Sequence, residues 1–122
     1  MRPQTHKAVT SWKGTCAAEI TATVLCGAWK PTIMHELDRH GVLRFGQLSR
    51  LLPGLTDRVL TRQLRELEQD GLIRRVVYPQ VPPKVEYDLT ELGRNARHVL
   101  DIMAKWGDSY AMTALSQVTE TE

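Results

Sequence analysis

The sequence contains few cysteines and no long apolar run, and each absence argues against a class of protein. Its 122 residues include two cysteines, Cys16 and Cys26, too few for a disulfide-stabilised secreted scaffold and without the CxxC spacing of zinc or thioredoxin-like sites. No stretch of about 18 uninterrupted apolar residues is present, so we expect no transmembrane helix. The cationic segment before residues 17–28 is too long for a signal peptide, and Glu19 interrupts the apolar part. We therefore expect a cytoplasmic protein.

Motifs that carry catalysis or metal binding are missing as well. The sequence has no GxSxG, P-loop or GxGxxG pattern. His35, Glu36 and His40 superficially resemble the HExxH motif of zinc proteases, but the two histidines are five residues apart. That spacing places them about 140° apart around a helix, so they are badly placed to share one metal ion. We therefore expect no enzymatic activity, no metal and no cofactor.

Charge is unevenly distributed along the chain, although the net charge is only +2. Residues 39–84 carry nine basic and four acidic groups, whereas residues 85–122 carry three basic and seven acidic groups. Eight of the nine cations in the middle segment are arginines, which suit phosphate groups and guanine edges. The middle segment is therefore either a face for a polyanionic partner or a solvated basic surface.

Apolar periodicity and turn residues predict a mainly helical chain with a small β-hairpin, an α+β fold. The expected elements are helices over residues 17–28, 31–40, 45–52 and 56–70, an extended piece over 42–44, strands over 73–78 and 85–89, and a long last helix capped by Thr90. This order is that of a winged helix-turn-helix. We expect one domain over residues 1–122, with a core at about 16–107, an N-terminal extension over 1–14 and a C-terminal helical extension or tail over 108–122.

The second helix of the helix-turn-helix has two contrasting faces. Thr56 is placed to cap it, and Leu60, Leu64 and Leu67 recur at the spacing of a buried face. The other side carries Arg58, Thr61, Arg62 and Arg65. Such a helix can present a cationic surface to a major groove while its leucines fix it to the domain. The alternative is a solvated face whose arginines pair with Glu66 and Glu68.

The hairpin and the last helix suggest further contacts. Prolines in the loop between the strands would hold Lys84 out toward a phosphate group. Arg44 is either a second phosphate contact or simply exposed, and of Arg74 and Arg75 at most one can face DNA, because neighbours on a strand point to opposite faces. The last helix carries a seam at spacings of three and four that predicts a partner helix or, less often, a ligand pocket: Leu92, Ala96, Val99, Met103, Trp106 and Tyr110.

Five segments resemble one family of proteins in order and spacing. They are RFGQL (44–48), LLPGL (51–55), VLTRQLRELEQDG (59–71), VYPQVPPKVEY (77–87) and LTELG (89–93). With Trp29, they resemble the HxlR family of bacterial winged-helix transcriptional regulators over residues 16–107. The segment VYPQVPPKVEY followed by LTELG is far more specific than a generic helix-turn-helix.

The resemblance implies a homodimer that binds an inverted-repeat operator in double-stranded DNA. The implied DNA-binding residues are Thr56, Arg58, Thr61, Arg62 and Arg65 on the second helix, together with Arg44 and Lys84. The dimer would form between the N-terminal and C-terminal helices, through Ile20, Val24, Leu92, Ala96, Val99, Met103 and Trp106. Two other functions stay open: a winged-helix adaptor that binds proteins rather than DNA, and a regulator controlled by a small molecule at the dimer seam.

The resemblance also assigns a role to one cysteine. Many members carry a cysteine thirteen residues before the tryptophan and use it to sense oxidants or electrophiles, and Cys16 occupies that position before Trp29. The usual proline after this cysteine is Ala17 here. Cys16 is therefore either a sensor thiol or a small buried hydrophobic residue. For Cys26, beside Gly27, we expect a packing role.

Overall fold

The structure is a computed structural model that describes residues 1–14 and 16–121. These residues form α1 (Pro3–Ser11), α2 (Ala18–Leu25), α3 (Lys30–His40), β1 (Leu43–Arg44), α4 (Phe45–Leu51), α5 (Asp57–Gln69), β2 (Ile73–Tyr78), β3 (Lys84–Leu89), α6 (Glu91–Asn95) and α7 (Arg97–Thr121). The order confirms the expected mainly helical fold with a small antiparallel sheet.

None of the helices in the described ranges combines the length and the apolarity needed to cross a membrane.

The helix-turn-helix is formed by α4 and α5. The Thr56 hydroxyl accepts a hydrogen bond from the Val59 N–H at 3.2 Å, so it caps α5 as the sequence predicts. Leucines at helical spacing anchor α5 in the core, and its other side is left exposed. The helix ends where Gly71 adopts a φ of +80°, a conformation that side chains with a Cβ rarely take.

The sheet has the strand order β1-β3-β2, and both pairs are antiparallel. In the β2–β3 hairpin Ile73 lies opposite Leu89 and Tyr78 lies opposite Lys84. The extended piece predicted over residues 42–44 contains β1, because Leu43 pairs with Tyr87 on the side of β3 opposite β2. The sequence predicts Lys84 in the loop between the strands. In the structure Lys84 is instead the first residue of β3.

The core lies between α3, α5 and the inner face of the sheet. It consists mostly of leucine: Leu25, Ile33, Met34, Leu37, Leu43, Leu48, Leu52, Leu55, Leu60, Leu64, Leu67, Leu72, Ile73, Tyr87, Leu89 and Leu100. Such a core fixes α5 from one side only. Burial of large aliphatic side chains stabilises the domain by about 1.5–3 kcal/mol each.

No helix is predicted for the first residues, and the structure forms α1 there. The helix has little apolar surface, but it follows Arg2, which is 6% exposed and bonded to the end of α5. Helix α2 is also shorter than the predicted 17–28, because Cys26 is already extended with a ψ of 115°.

The prediction of one long last helix is wrong, because the chain turns between α6 and α7. Thr90 does act as a cap, but of the short α6, where its hydroxyl accepts from the Gly93 N–H at 3.1 Å. The Ala96 N–H then donates back to the Gly93 carbonyl group at 3.1 Å, which closes α6 before α7 begins. Leu92 therefore lies on α6, whereas residues 99, 103 and 106 of the predicted seam lie on α7.

Candidate nucleic-acid interface

The exposed face of α5 carries three arginines around a shallow hollow. Arg58, Arg62 and Arg65 are exposed, and together with Thr61 they line a cavity of about 340 Å³. Within the described ranges none of the three guanidinium groups makes an ion pair or a hydrogen bond to another side chain. Their spacing of four and three residues places them on successive turns of one face. The face can therefore donate many hydrogen bonds to a ligand.

The alternative in which these arginines pair with Glu66 does not match the structure. Glu66 lies on the other side of α5, where its Oε1 is 3.4 Å from Lys30 Nζ and 3.5 Å from Arg2 Nη1. Its charge is thus neutralised from α3 and from the segment before α1. The positive charges of Arg58, Arg62 and Arg65 on the exposed face of α5 are therefore not neutralised by Glu66.

Two further predicted DNA-binding cations, Arg44 and Lys84, lie outside α5. Arg44 is exposed at the start of α4, where its backbone N–H donates to Gln47 Oε1 at 2.8 Å. Lys84 is half-buried: its Nζ is 3.3 Å from Glu86 Oε1 and 4.8 Å from the centre of the Tyr78 ring. Glu86 and the Tyr78 ring therefore already contact the Lys84 ammonium group within the hairpin, and these contacts are not predicted from the sequence.

The two adjacent arginines of β2 differ sharply. Arg74 bonds to Asp88 on β3 through Nη2–Oδ2 at 2.6 Å and Nε–Oδ1 at 3.1 Å, and this contact raises the pKa of its guanidinium group. Arg75 points to the opposite face of the sheet and lines a cleft beside α5. Of these two arginines, Arg75 is therefore the one whose guanidinium group can contact a ligand alongside α5.

On the flank away from the sheet, α5 is tied to the N-terminal segment by a buried ionic cluster. Arg2 donates from its backbone N–H and its Nε to Asp70 at 2.9 and 2.7 Å, and from Nη2 to the Thr23 carbonyl group at 2.8 Å. Lys30 is 2% exposed and pairs with Glu66. We name Arg2, Lys30, Glu66 and Asp70 the buried cluster.

Burial and charge shift two pKa values in the buried cluster. Desolvation acts to raise the pKa of the Asp70 carboxyl group, but the hydrogen bonds and the positive charge of Arg2 outweigh it, so the pKa lies below its usual value. Desolvation and the nearby Arg2 charge lower the pKa of the Lys30 ammonium group, and Glu66 opposes them in part. Together these contacts hold the end of α5 against the N-terminal segment and α3.

The predicted dimer seam falls into separate places. Five of its residues line one apolar cavity of about 390 Å³ between α1, α2 and the C-terminal helices: Ile20, Val24, Leu92, Ala96 and Val99. Met103 packs instead beside α3, next to Pro31 and His35. Trp106 is 67% exposed and stacks on Tyr110, with 5.4 Å between the ring centres.

Both cysteines are free and exposed. The expected packing role of Cys26 is therefore wrong, because this residue ends α2 at the surface. The exposed position of Cys16 contradicts the interpretation of this residue as a small buried hydrophobic residue. It leaves an accessible thiol two residues before α2 begins.

The histidines that superficially resemble a zinc-protease motif are placed differently. His40 Nε2 lies 3.3 Å from Glu36 Oε2, and the described residues hold no group of three potential metal ligands.

The family model described as HxlR-like helix-turn-helix matches residues 24–115. The chain is 49% identical over 94 residues to YtcD of Bacillus subtilis (strain 168), an uncharacterised HTH-type transcriptional regulator, covering 77% of this chain and 74% of YtcD. These similarities extend over the helix-turn-helix, the hairpin and most of α7.

Two solved structures show how far the fold is shared. The reduced form of the redox regulator HypR has 44% identity and a TM-score of 0.76, and the match covers 83% of this chain and 99% of HypR. Diamide-treated YodB from B. subtilis has 33% identity and a TM-score of 0.66, covering 79% of this chain and 95% of YodB. The fold is therefore the winged helix-turn-helix of transcriptional regulators.

Proposed function

The chain belongs to the HxlR-like helix-turn-helix family of transcriptional regulators, and on that premise we propose that it binds an inverted-repeat operator in double-stranded DNA as a homodimer. One observation carries the proposal. A capped helix, fixed to the core by leucines, presents three arginines without ion-pair partners among the described residues. Arginine offers bidentate contacts to guanine and to phosphate, so this face suits a major groove.

The adaptor without DNA binding is a weaker explanation of the same surface. A protein-binding winged helix has no need of a cationic outer face, yet Arg58, Arg62 and Arg65 are held together on this one. The affinity of a protein partner for such a cationic face would also fall more steeply with salt concentration than the affinity of most protein–protein interfaces does.

The experiment compares DNA binding by the wild type, Arg62→Ala and Arg97→Ala. Arg62→Ala should weaken operator binding by about 1–3 kcal/mol and relax base preference at one position of each half-site. Arg97→Ala removes the same charge from an exposed pair with Asp38 and serves as the control. An operator from the promoters nearest the gene can be defined first by footprinting. Unchanged affinity and preference in Arg62→Ala would contradict the assignment of α5.

For the homodimer, support comes from apolar surface that a monomer leaves open. Val99 lines the cavity between the N- and C-terminal helices, and α7 carries exposed Ile102 and Trp106 beyond it. Soluble monomers seldom expose contiguous apolar surface of this kind. We expect Val99→Glu to give monomers or insoluble protein by light scattering, with Asp101→Ala as a neighbouring control. A wild-type monomer at micromolar concentration would overturn the dimer and the inverted repeat with it.

We further propose that Cys16 makes DNA binding sensitive to thiol modification. Its thiol is accessible, and it precedes α2, whose residues Ile20 and Val24 line the proposed dimer contact. An adduct or an intersubunit disulfide there would turn one subunit against the other and change the distance between the two α5 helices. Diamide and methylglyoxal should weaken operator binding by the wild type and by Cys26→Ser, but not by Cys16→Ser. Equal responses of all three proteins would make Cys16 structural.

A further inference from the structure

A polar cleft separates α5 from the sheet, on the side opposite the buried cluster. Its volume is about 340 Å³, and it is lined by Thr61, Leu64, Arg65, Glu68, Arg75 and Tyr87. Leu64 and Tyr87 are buried and form its floor, whereas Arg65 and Arg75 are exposed at its mouth. We name it the helix–strand cleft.

The strand register explains why Arg75 faces this cleft. Arg75 lies opposite Tyr87, and Ile73, two residues before it, lies opposite Leu89. Ile73, Tyr87 and Leu89 are core residues, so side chains at these positions point to the face that packs on α5. Arg75 is on that face too, but far enough along β2 to reach solvent at the side of α5.

Within the described ranges neither Arg65 nor Arg75 has an ion-pair partner. Glu68 lies one turn along α5 from Arg65. Its carboxylate oxygens are more than 4.0 Å from the guanidinium nitrogens of both arginines, so it forms an ion pair with neither. The neighbouring Arg74, by contrast, is neutralised by Asp88 at 2.6 Å. Two guanidinium groups and one carboxylate leave the cleft with a net positive charge, which suits an anion of single charge.

We propose that the helix–strand cleft binds one phosphodiester group of the DNA backbone, with Arg75 donating from β2 and Arg65 from α5. This proposal rests on the proposed function. A phosphate held between helix and hairpin fixes the depth and the angle at which α5 enters the groove, and it carries no sequence information itself. Arg65 accordingly serves the backbone, while Arg58 and Arg62, nearer the start of α5, remain for base edges.

Glu68 limits what the cleft accepts. Its carboxylate would repel a second phosphate and lower the affinity for DNA of any sequence. Glu68→Gln should therefore raise affinity for operator and unrelated DNA by the same factor, and this gain should be largest at low salt.

The experiment measures binding of the wild type, Arg75→Ala, Arg75→Lys and Arg74→Ala to operator and unrelated duplexes across salt concentrations. Arg75→Ala should weaken both duplexes about five- to tenfold at 0.15 M salt and reduce the slope of log affinity against log salt by about one. Arg75→Lys keeps the charge and should keep the slope. Arg74→Ala removes an equal charge from the other face and should stay within about twofold of wild type.

Each outcome decides between the two proposals. If Arg75→Ala behaves as Arg74→Ala does, while Arg62→Ala loses operator preference, the cleft binds no phosphate and DNA binding by α5 stands. If Arg75→Ala changes operator binding but leaves unrelated DNA unchanged, Arg75 contacts a base, and the phosphate assignment is wrong. If none of these variants alters DNA binding, the proposed function itself fails. Thermal melting serves to check that Arg75→Ala is folded, and the exposed position of Arg75 leads us to expect a melting temperature close to that of the wild type.

Discussion

The two flanks of α5 use arginine in opposite ways. On one flank Arg2 is buried and donates to Asp70 and Thr23, next to the Lys30–Glu66 pair. On the open face Arg58 and Arg62 have solvent around them and no ion-pair partner in the described chain. The first set holds the helix and the second is left for a ligand. Residue type alone does not separate them; the position of each carboxylate does.

The difference shows how a small domain can leave cations unneutralised near its recognition helix. Glu66 lies near the end of α5 and Asp70 directly follows the helix, where they could compensate arginines of the same helix. Both carboxylates instead pair with Arg2 in the N-terminal segment. Their charges are cancelled by Arg2 and Lys30. The open face therefore keeps a positive potential close to where DNA would lie.

The largest effect is expected for Arg2→Ala, which removes the centre of the buried cluster. It deletes the side-chain bonds to Asp70 and Thr23 and leaves a buried carboxylate without its guanidinium partner. Breaking a buried pair from one side costs about 3–5 kcal/mol, a large part of the roughly 5–15 kcal/mol of a typical domain. Urea denaturation measures it, with Arg97→Ala, at an exposed pair, as control. Equal losses in both variants would mean that the cluster contributes nothing special.

A smaller effect is expected from acid, through Asp70. Because its pKa is lower in the folded than in the unfolded protein, its contribution is fully present above about pH 4 and is lost as the pH falls through the folded-state pKa. Asp70→Asn should cost about 2 kcal/mol of unfolding free energy at pH 7, because charged hydrogen bonds are weakened. The gap to wild type should narrow as the pH falls through the folded-state pKa of Asp70. A gap that is constant with pH would show that Asp70 does not titrate in this way.

Much of the fold follows from local patterns in the sequence. Thr56, the leucines of α5 and the alternation of β3 are signals within one turn or one strand, and the structure confirms each of them. The outward placement of Arg58 and Arg62 follows from the same periodicity.

The features that sequence reasoning missed depend on distant contacts. Helix α1 has a weak pattern of its own, and its anchor Arg2 meets Asp70 from 68 residues away. The close packing of α6 on the chain just after α5 depends on Gly93, where a Cβ would collide with the Leu72 carbonyl oxygen. The contact of Lys84 with the Tyr78 ring and the placement of Arg75 beside α5 depend on the strand register. The sequence predicts the Pro53-Gly54 turn. It does not predict that Gly54 lies against the Trp29 ring.

The smallest effect is expected for Lys84, which lies between the two classes of cation. Its side chain is 30% exposed, and its ammonium group already interacts with Glu86 and the Tyr78 ring. A phosphate would have to compete with Glu86 for it, so the gain on binding DNA is reduced. Lys84→Ala should weaken operator and unrelated DNA alike, by no more than a few fold, and flatten the salt slope by at most about one.

Competition between Glu86 and phosphate for Lys84 can be measured by a double-mutant cycle. Glu86→Gln frees the ammonium group and should raise DNA affinity in the presence of Lys84. The same change in the Lys84→Ala background should raise it less, since only the general loss of a negative charge then remains. The difference between the two gains reports the cost of parting Lys84 from Glu86. Equal gains in both backgrounds would show that Lys84 stays with its hairpin partners when DNA binds, and that it belongs with Arg2 and Arg74 among the structural cations.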